Sequence, residues 1–269
     1  MKFSVFALLI SASLFLFSCS KDDAPVLNPT DGMFKIAEGS APGSGLKTTL
    51  YAKSQTVYTG YNRFFILVSD SATGNTITNA QIELNPMMDM GTMSHSSPFE
   101  NPSSLTAVNS LFPCSVVFTM PSMGGSWMLN VKVTNSFNGR SGTFSTPLTI
   151  TDPTESRMKS FTSLHNGSKY FVALIEPSSP KVGINDLEIA VYKKSGMSYP
   201  ADSSLSVSIN PEMPTMGHGS PNNIDPAHSG IGHYKGKVNF TMTGYWKVNM
   251  RFMSGAEVAD STQFFDITF

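Results

Sequence analysis

Thioether sulfur and imidazole nitrogen occur together twice in this chain, at the same spacing. Met90, Met93 and His95 stand in MDMGTMSHSSP, and Met213, Met216 and His218 stand in MPTMGHGSP, so both copies carry MxxMxH followed within three residues by Ser-Pro. Soft sulfur combined with borderline nitrogen suits monovalent copper better than any hard cation. Methionine also remains a ligand in an oxidising compartment, where a thiol would be consumed. His228, His233 and Met242 follow the second copy closely enough to add donors. Met120 does the same for the first, with Met87, Met88, Met123 and Cys114 nearby. On softness the first set favours Cu(I), whereas three histidines in the second would also admit Cu(II), and leave zinc open. The competing role is structural: methionine fills irregular core gaps and histidine caps a turn. Against it, the methionines lie in loops punctuated by Pro and Gly, with no core period to follow, and the spacing is shared by two diverged copies. Duplication preserves structural residues too, so both roles stay open on the residues alone.

Something must position these loops, and the flanking sequence is also duplicated. Each motif follows an apolar run ending in Asn-Pro, at Asn85-Pro86 and Asn210-Pro211. Each precedes Phe-Thr-Met and then a Trp, namely Phe118 to Met120 with Trp127, and Phe240 to Met242 with Trp246. Runs of β-branched and aromatic residues, separated by Gly, Pro, Asn and Ser, predict strands near 50–57, 63–69, 76–84, 115–118, 127–133 and 142–150. The plan recurs near 170–175, 187–192, 205–209, 232–240, 245–252 and 264–269. In the strand after each Phe-Thr-Met, Trp246, Val248, Met250 and Phe252 share one face, as do Trp127, Leu129, Val131 and Val133. An indole face could cover a cation, but each Trp heads an alternating strand and reads as core. Helical periodicity is nowhere sustained. The expected fold is all-β, with two tandem immunoglobulin-like β-sandwiches at 46–152 and 157–269, each of about 100 residues. The polar stretch 151–156, with Asp152-Pro153, marks the boundary. His165, beside Asn166-Gly167, reads as a loop residue, and Cys114 as a buried thiol in a strand.

The first residues read as an address label. Lys2 precedes an apolar run too short for an ordinary transmembrane span. The run ends in Leu-Phe-Ser-Cys, which resembles a bacterial lipobox, and this implies a signal peptide at 1–19 with Cys19 lipidated. Residues 20–45, rich in Pro, Gly, Ser and Asp, read as a flexible tether. The expected location is the cell envelope, anchored by lipid to the outer membrane on its periplasmic face or at the cell surface. With Cys19 lipidated, Cys114 has no partner for a disulfide. A net charge of -1 and few charged residues give no basic footprint for nucleic acid.

The second unit resembles the YtkA-like domain of bacterial exported proteins. The likeness rests on a strand ending in Asn210-Pro211, then MPTMGH, Gly232-His233-Tyr234, Phe-Thr-Met, and Gly244-Tyr245-Trp246 before an alternating strand. The first unit is similar but departs from the pattern: it reads MDMGTMSH and has no clear Gly-Xaa-Tyr strand. The resemblance implies an immunoglobulin-like sandwich in the style of periplasmic copper-resistance and FixH-type domains. It supports Met213, Met216 and His218 as ligands and, through the internal repeat, Met90, Met93 and His95.

Two functions follow as expectations. One is a lipid-anchored envelope protein that binds copper through Met/His loops, for sequestration or delivery to an efflux system or an oxidase-assembly partner. The alternative is a non-metal module whose two sandwiches bind a protein or envelope polymer, with the Met-rich loops as an adaptable apolar surface. Enzymatic activity is not expected: a nucleophile elbow, an HExxH helix and a phosphate loop are all missing from the sequence.

Overall fold

The computed structural model describes residues 28–269. The signal peptide, Cys19 and the first part of the expected tether lie outside the described residues. No helix among the described residues is long and apolar enough to cross a membrane.

The chain is built almost wholly from antiparallel strands. The first unit comprises β1 (Phe34–Ala41), β2 (Leu46–Ala52), β3 (Val57–Tyr58), β4 (Gly60–Asp70), β5 (Ala80–Asp89), β6 (Ser94–Ser96), β7 (Phe99–Glu100), β8 (Phe112–Phe118), β9 (Ser126–Asn135), β10 (Ser141–Leu148) and β11 (Ile150–Thr151). One sheet runs β1-β2-β4-β8-β7, and the facing sheet runs β10-β9-β5-β6. The second unit comprises β12 (Met158–Thr162), β13 (Lys169–Glu176), β14 (Gly183–Lys193), β15 (Leu205–Met213), β16 (His218–Gly219), β17 (Ile224–Gly230), β18 (His233–Phe240), β19 (Tyr245–Ser254), β20 (Glu257–Asp260) and β21 (Phe264–Thr268). Its sheets run β12-β13-β14-β18-β17 and β16-β15-β19-β20, with β21 also on β19. In each unit the alternating apolar residues of the two sheets meet in one core, centred on Trp127 in the first and Trp246 in the second. The all-β sandwich expectation holds.

Two expectations need correction. Residues 34–41, placed in the tether, form β1 and pair with β2 over its full length. The small residues that suggested flexibility serve close packing instead. A Cβ on Gly39 would stand 2.6 Å from the Phe144 ring, and one on Gly142 would stand 2.0 Å from the Pro42 carbonyl oxygen. Gly142→Ala should therefore lose about 1–3 kcal/mol, read from the urea midpoint, while exposed Ser141→Ala should stay within about 0.5 kcal/mol. Equal midpoints for the two variants would mean that this segment does not pack on β10.

The second correction concerns the strands before the motifs. They do not stop at Asn-Pro but continue to Asp89 and Met213. Pro86 tolerates this because its carbonyl points to the β6 side, where it accepts from Ser96 Oγ at 2.9 Å. The missing N–H lies on that same side, beyond the short ladder that β6 forms with residues 87–89.

The two units also pack together, sheet against sheet. Val117 of β8 is buried with Ala173, Ala190 and Tyr192 of the second unit, flanked by Tyr61, Met158, Ile175 and Tyr199. The linker is tied to both units: Thr59 Oγ1 donates to Asp152 at 2.8 Å, and Glu155 accepts from the Thr268 amide at 3.1 Å.

Candidate functional site

Each motif folds as a hairpin at one end of a sheet, four-stranded in the first unit and five-stranded in the second. In the first unit β5 turns through 90–93 into β6, which places Met88 directly opposite His95. In the second, β15 turns through 214–217 into β16, and Met213 lies opposite His218. The counterpart of Met213 is therefore Met88, not Met90. The turns are equal in length, but the first ladder carries one more pair, Asp89 with Ser94, so six residues separate Met88 from His95 and four separate Met213 from His218, and the shared MxxMxH spacing aligns the wrong methionine. Burial agrees with the pairing in register. Met88 and Met213 are buried, at 0% and 4% exposure, whereas Met93 and Met216 project from the turns at 63% and 58%. Met90 and Met242 are exposed, and Met120 packs beside the first core. The spacing from Asn-Pro would have found Met88, because Pro86 and Pro211 each stand two residues before the buried methionine.

The surroundings of this methionine repeat in detail. A Cβ on Gly125 would touch the Met88 methyl at 3.1 Å, and one on Gly244 would touch the Met213 methyl at 3.0 Å. Both glycines open a Gly-Xaa-Trp sequence. Trp127 Nε1 donates to the Met120 carbonyl at 3.0 Å, and Trp246 Nε1 to the Met242 carbonyl at 2.9 Å. The indoles are core, as expected, at 1% and 0% exposure. Each also receives the edge of the motif histidine: His95 lies 5.7 Å from Trp127 at 87°, and His218 lies 6.0 Å from Trp246 at 85°.

His95 has a further property. Its Nδ1 lies 3.0 Å from the Ser96 carbonyl oxygen. A carbonyl only accepts, so Nδ1 carries the proton and Nε2 presents a lone pair. That Nε2 is buried and has no hydrogen-bond partner. Buried polar atoms are almost always satisfied, and an exception calls for a bound group or water. A nitrogen lone pair on the strand opposite a buried thioether is a donor set that fits a soft ion.

The remaining histidines do not join these hairpins. His228 and His233 lie on β17 and β18 of the opposite sheet. The His228 ring packs against Tyr234 at 5.3 Å, and both nitrogens of His233 are bonded to carboxylates. The expected three-histidine site of the second unit is thus not assembled. Among the described residues no three His, Cys, Asp or Glu side chains form a metal-holding group. Cys114 lies in the first core, where burial, and then the charge of Glu100, push its thiol pKa up.

The fold and the paired hairpins define a two-sandwich β protein carrying a Met–His pair alongside each Trp strand. The sequence model of the YtkA-like family matches residues 165–251, so the second sandwich carries a YtkA-like domain. No curated protein matches. Among solved structures, domains 5–6 of the S-layer protein SbsC are 11% identical, with 88% of this chain and 97% of that chain covered and a TM-score of 0.28. A structure of domains 4–9 of SbsC is 12% identical, with 84% and 35% covered and a TM-score of 0.27.

Proposed function

We propose that this is a lipid-anchored envelope protein that binds monovalent copper at the Met–His hairpin of each sandwich. It would hold the ion or pass it to an efflux system or an oxidase-assembly partner. The observation that carries this is the unpartnered, buried Nε2 of His95 across the hairpin from Met88. The same Met–His register, with the histidine edge on a Trp, in the YtkA-like domain supports a common role for both hairpins. Met88 and His95 would hold one ion, and Met213 and His218 the other, with Met93 and Met216 on the exposed turns as entry ligands. Few soft ligands per ion allow transfer by ligand exchange, with no covalent step. The anchor would be Cys19, with the outer membrane as destination.

Anaerobic Cu(I) titration of the protein against a competing chelator tests this. About two ions per chain are expected, one per hairpin, with tight binding lost in the His95→Ala, His218→Ala double variant. A folded wild-type protein that leaves all copper with the chelator would return the hairpins to a packing role.

A further inference from the structure

A cluster of ionisable side chains lies outside the hairpins, between the two sandwiches. Glu100 of β7 projects from the first unit into the second. Its Oε2 accepts from Tyr61 at 2.8 Å and Ser115 at 2.6 Å, both in the first unit. Its Oε1 accepts from Tyr192 and, at 2.8 Å, from His233 Nε2, both in the second. His233 Nδ1 reaches Glu188 Oε1 at 2.7 Å. The three charged side chains are 15–18% exposed.

A neutral imidazole carries one N–H, so one of its nitrogens would aim a lone pair at a carboxylate. Only the imidazolium satisfies both contacts. We propose that Glu100, His233 and Glu188 form a protonation-dependent joint, in which charged His233 fixes the two sandwiches face to face and its deprotonation releases them. This is independent of copper binding.

The groups around the joint are few. On the first unit they are Glu100, Tyr61 of β4 with Arg63 beyond it, and on β8 Ser115 and the thiol of Cys114. On the second they are Glu188 and Tyr192 of β14, and on β18 His233 with Lys235, whose Nζ lies 3.5 Å from Glu188. The Tyr61 ring meets His233 edge-on at 5.8 Å. The adjacent apolar contacts of Val117, Ala173 and Ala190 are small side chains. Larger side chains, Tyr61, Met158, Ile175, Tyr192 and Tyr199, complete this apolar contact, and the charged bonds fix how the two faces are oriented on it.

The pH window follows from both partners. The bond to Glu100 raises the His233 pKa above 6.5 against the cost of burial, and Glu188 adds to the rise. A raised histidine pKa gives stabilisation that is complete below the unfolded value and lost as pH rises through the folded one. Burial alone would raise the Glu100 pKa, but bonds from His233, Ser115, Tyr192 and Tyr61 outweigh it and pull it down to about 2. A depressed carboxylate pKa gives stabilisation present above the unfolded value and lost as pH falls towards about 2. The joint is thus fully closed below the ordinary histidine pKa of about 6.5 and opens as pH rises through the raised His233 value.

Small-angle scattering of the full chain across pH, with circular dichroism confirming the strands at each point, tests this. The expected result is a constant compact profile from about pH 5 to about 6.5, then a larger radius of gyration as pH rises further and His233 loses its proton. His233→Gln, which cannot charge, should give the expanded profile throughout. A compact, pH-independent profile in both proteins would overturn the proposal. Should the variant fail to fold, NMR titration of the wild-type His233 Cε1–H decides. A midpoint above about 6.5, with Val117 and Ala190 amide shifts moving in step, supports the joint; a midpoint at or below that value overturns it.

Discussion

Met88→Leu should weaken Cu(I) binding at the first hairpin by at least about tenfold, roughly 1.4 kcal/mol, while Met90→Leu leaves it nearly unchanged. Leucine keeps the volume and apolar character of methionine and removes the sulfur, so the fold should lose less than about 1.5 kcal/mol. The expectation rests on register. Met88, not Met90, stands opposite His95, and Met88 is fully buried beside its cross-strand neighbour Trp127. Chelator competition on both variants, beside a denaturation midpoint for each, reads the two effects separately. If Met90→Leu proves the damaging change, the sequence spacing was the better guide and the ion sits at the turn. If neither matters while His95→Ala does, the thioether is packing and the histidine acts with other donors.

Trp246→Ala should destabilise the second sandwich by about 3–5 kcal/mol, as loss of a large buried aromatic does. The indole is 0% exposed, touches Phe240 at a ring separation of 5.3 Å, and donates to the Met242 carbonyl at 2.9 Å. Truncation opens a cavity and leaves that carbonyl without its donor. It also removes the surface against which His218 is held edge-on, so Cu(I) affinity at this hairpin should fall as well. Trp246→Phe should recover part of the packing but not the hydrogen bond. Calorimetry that shows Trp246→Ala within about 1 kcal/mol of wild type would contradict the placement of this residue at the centre of the core.

Much of the fold was legible because β-structure writes a period of two into the sequence. Trp246, Val248, Met250 and Phe252 could be assigned to one face without coordinates, and all four are buried. The duplicated Asn-Pro, Phe-Thr-Met and Trp likewise marked two similar units. Glycine was less legible. Gly39 lies in a stretch with the composition of a tether, yet there, as at Gly142 of β10, the missing side chain lets strands approach, a distinction that depends on what lies across the interface. The hairpin partner of His95 was missed for a related reason. Sequence spacing measures distance along the chain, whereas a ladder measures it across strands, and the extra Asp89–Ser94 pair of the first hairpin shifts one against the other by two residues.

The sequence by itself determined that this chain forms sandwiches, where their cores lie, and that methionine and histidine gather in one loop per unit, because these depend on local period and composition. The tertiary structure alone decided which methionine faces which histidine, and that His228 and His233 belong to another sheet. It also decided that His233 and Glu188 meet Glu100 across the two units. Those contacts join residues as far apart as 133 positions, and no local pattern encodes them.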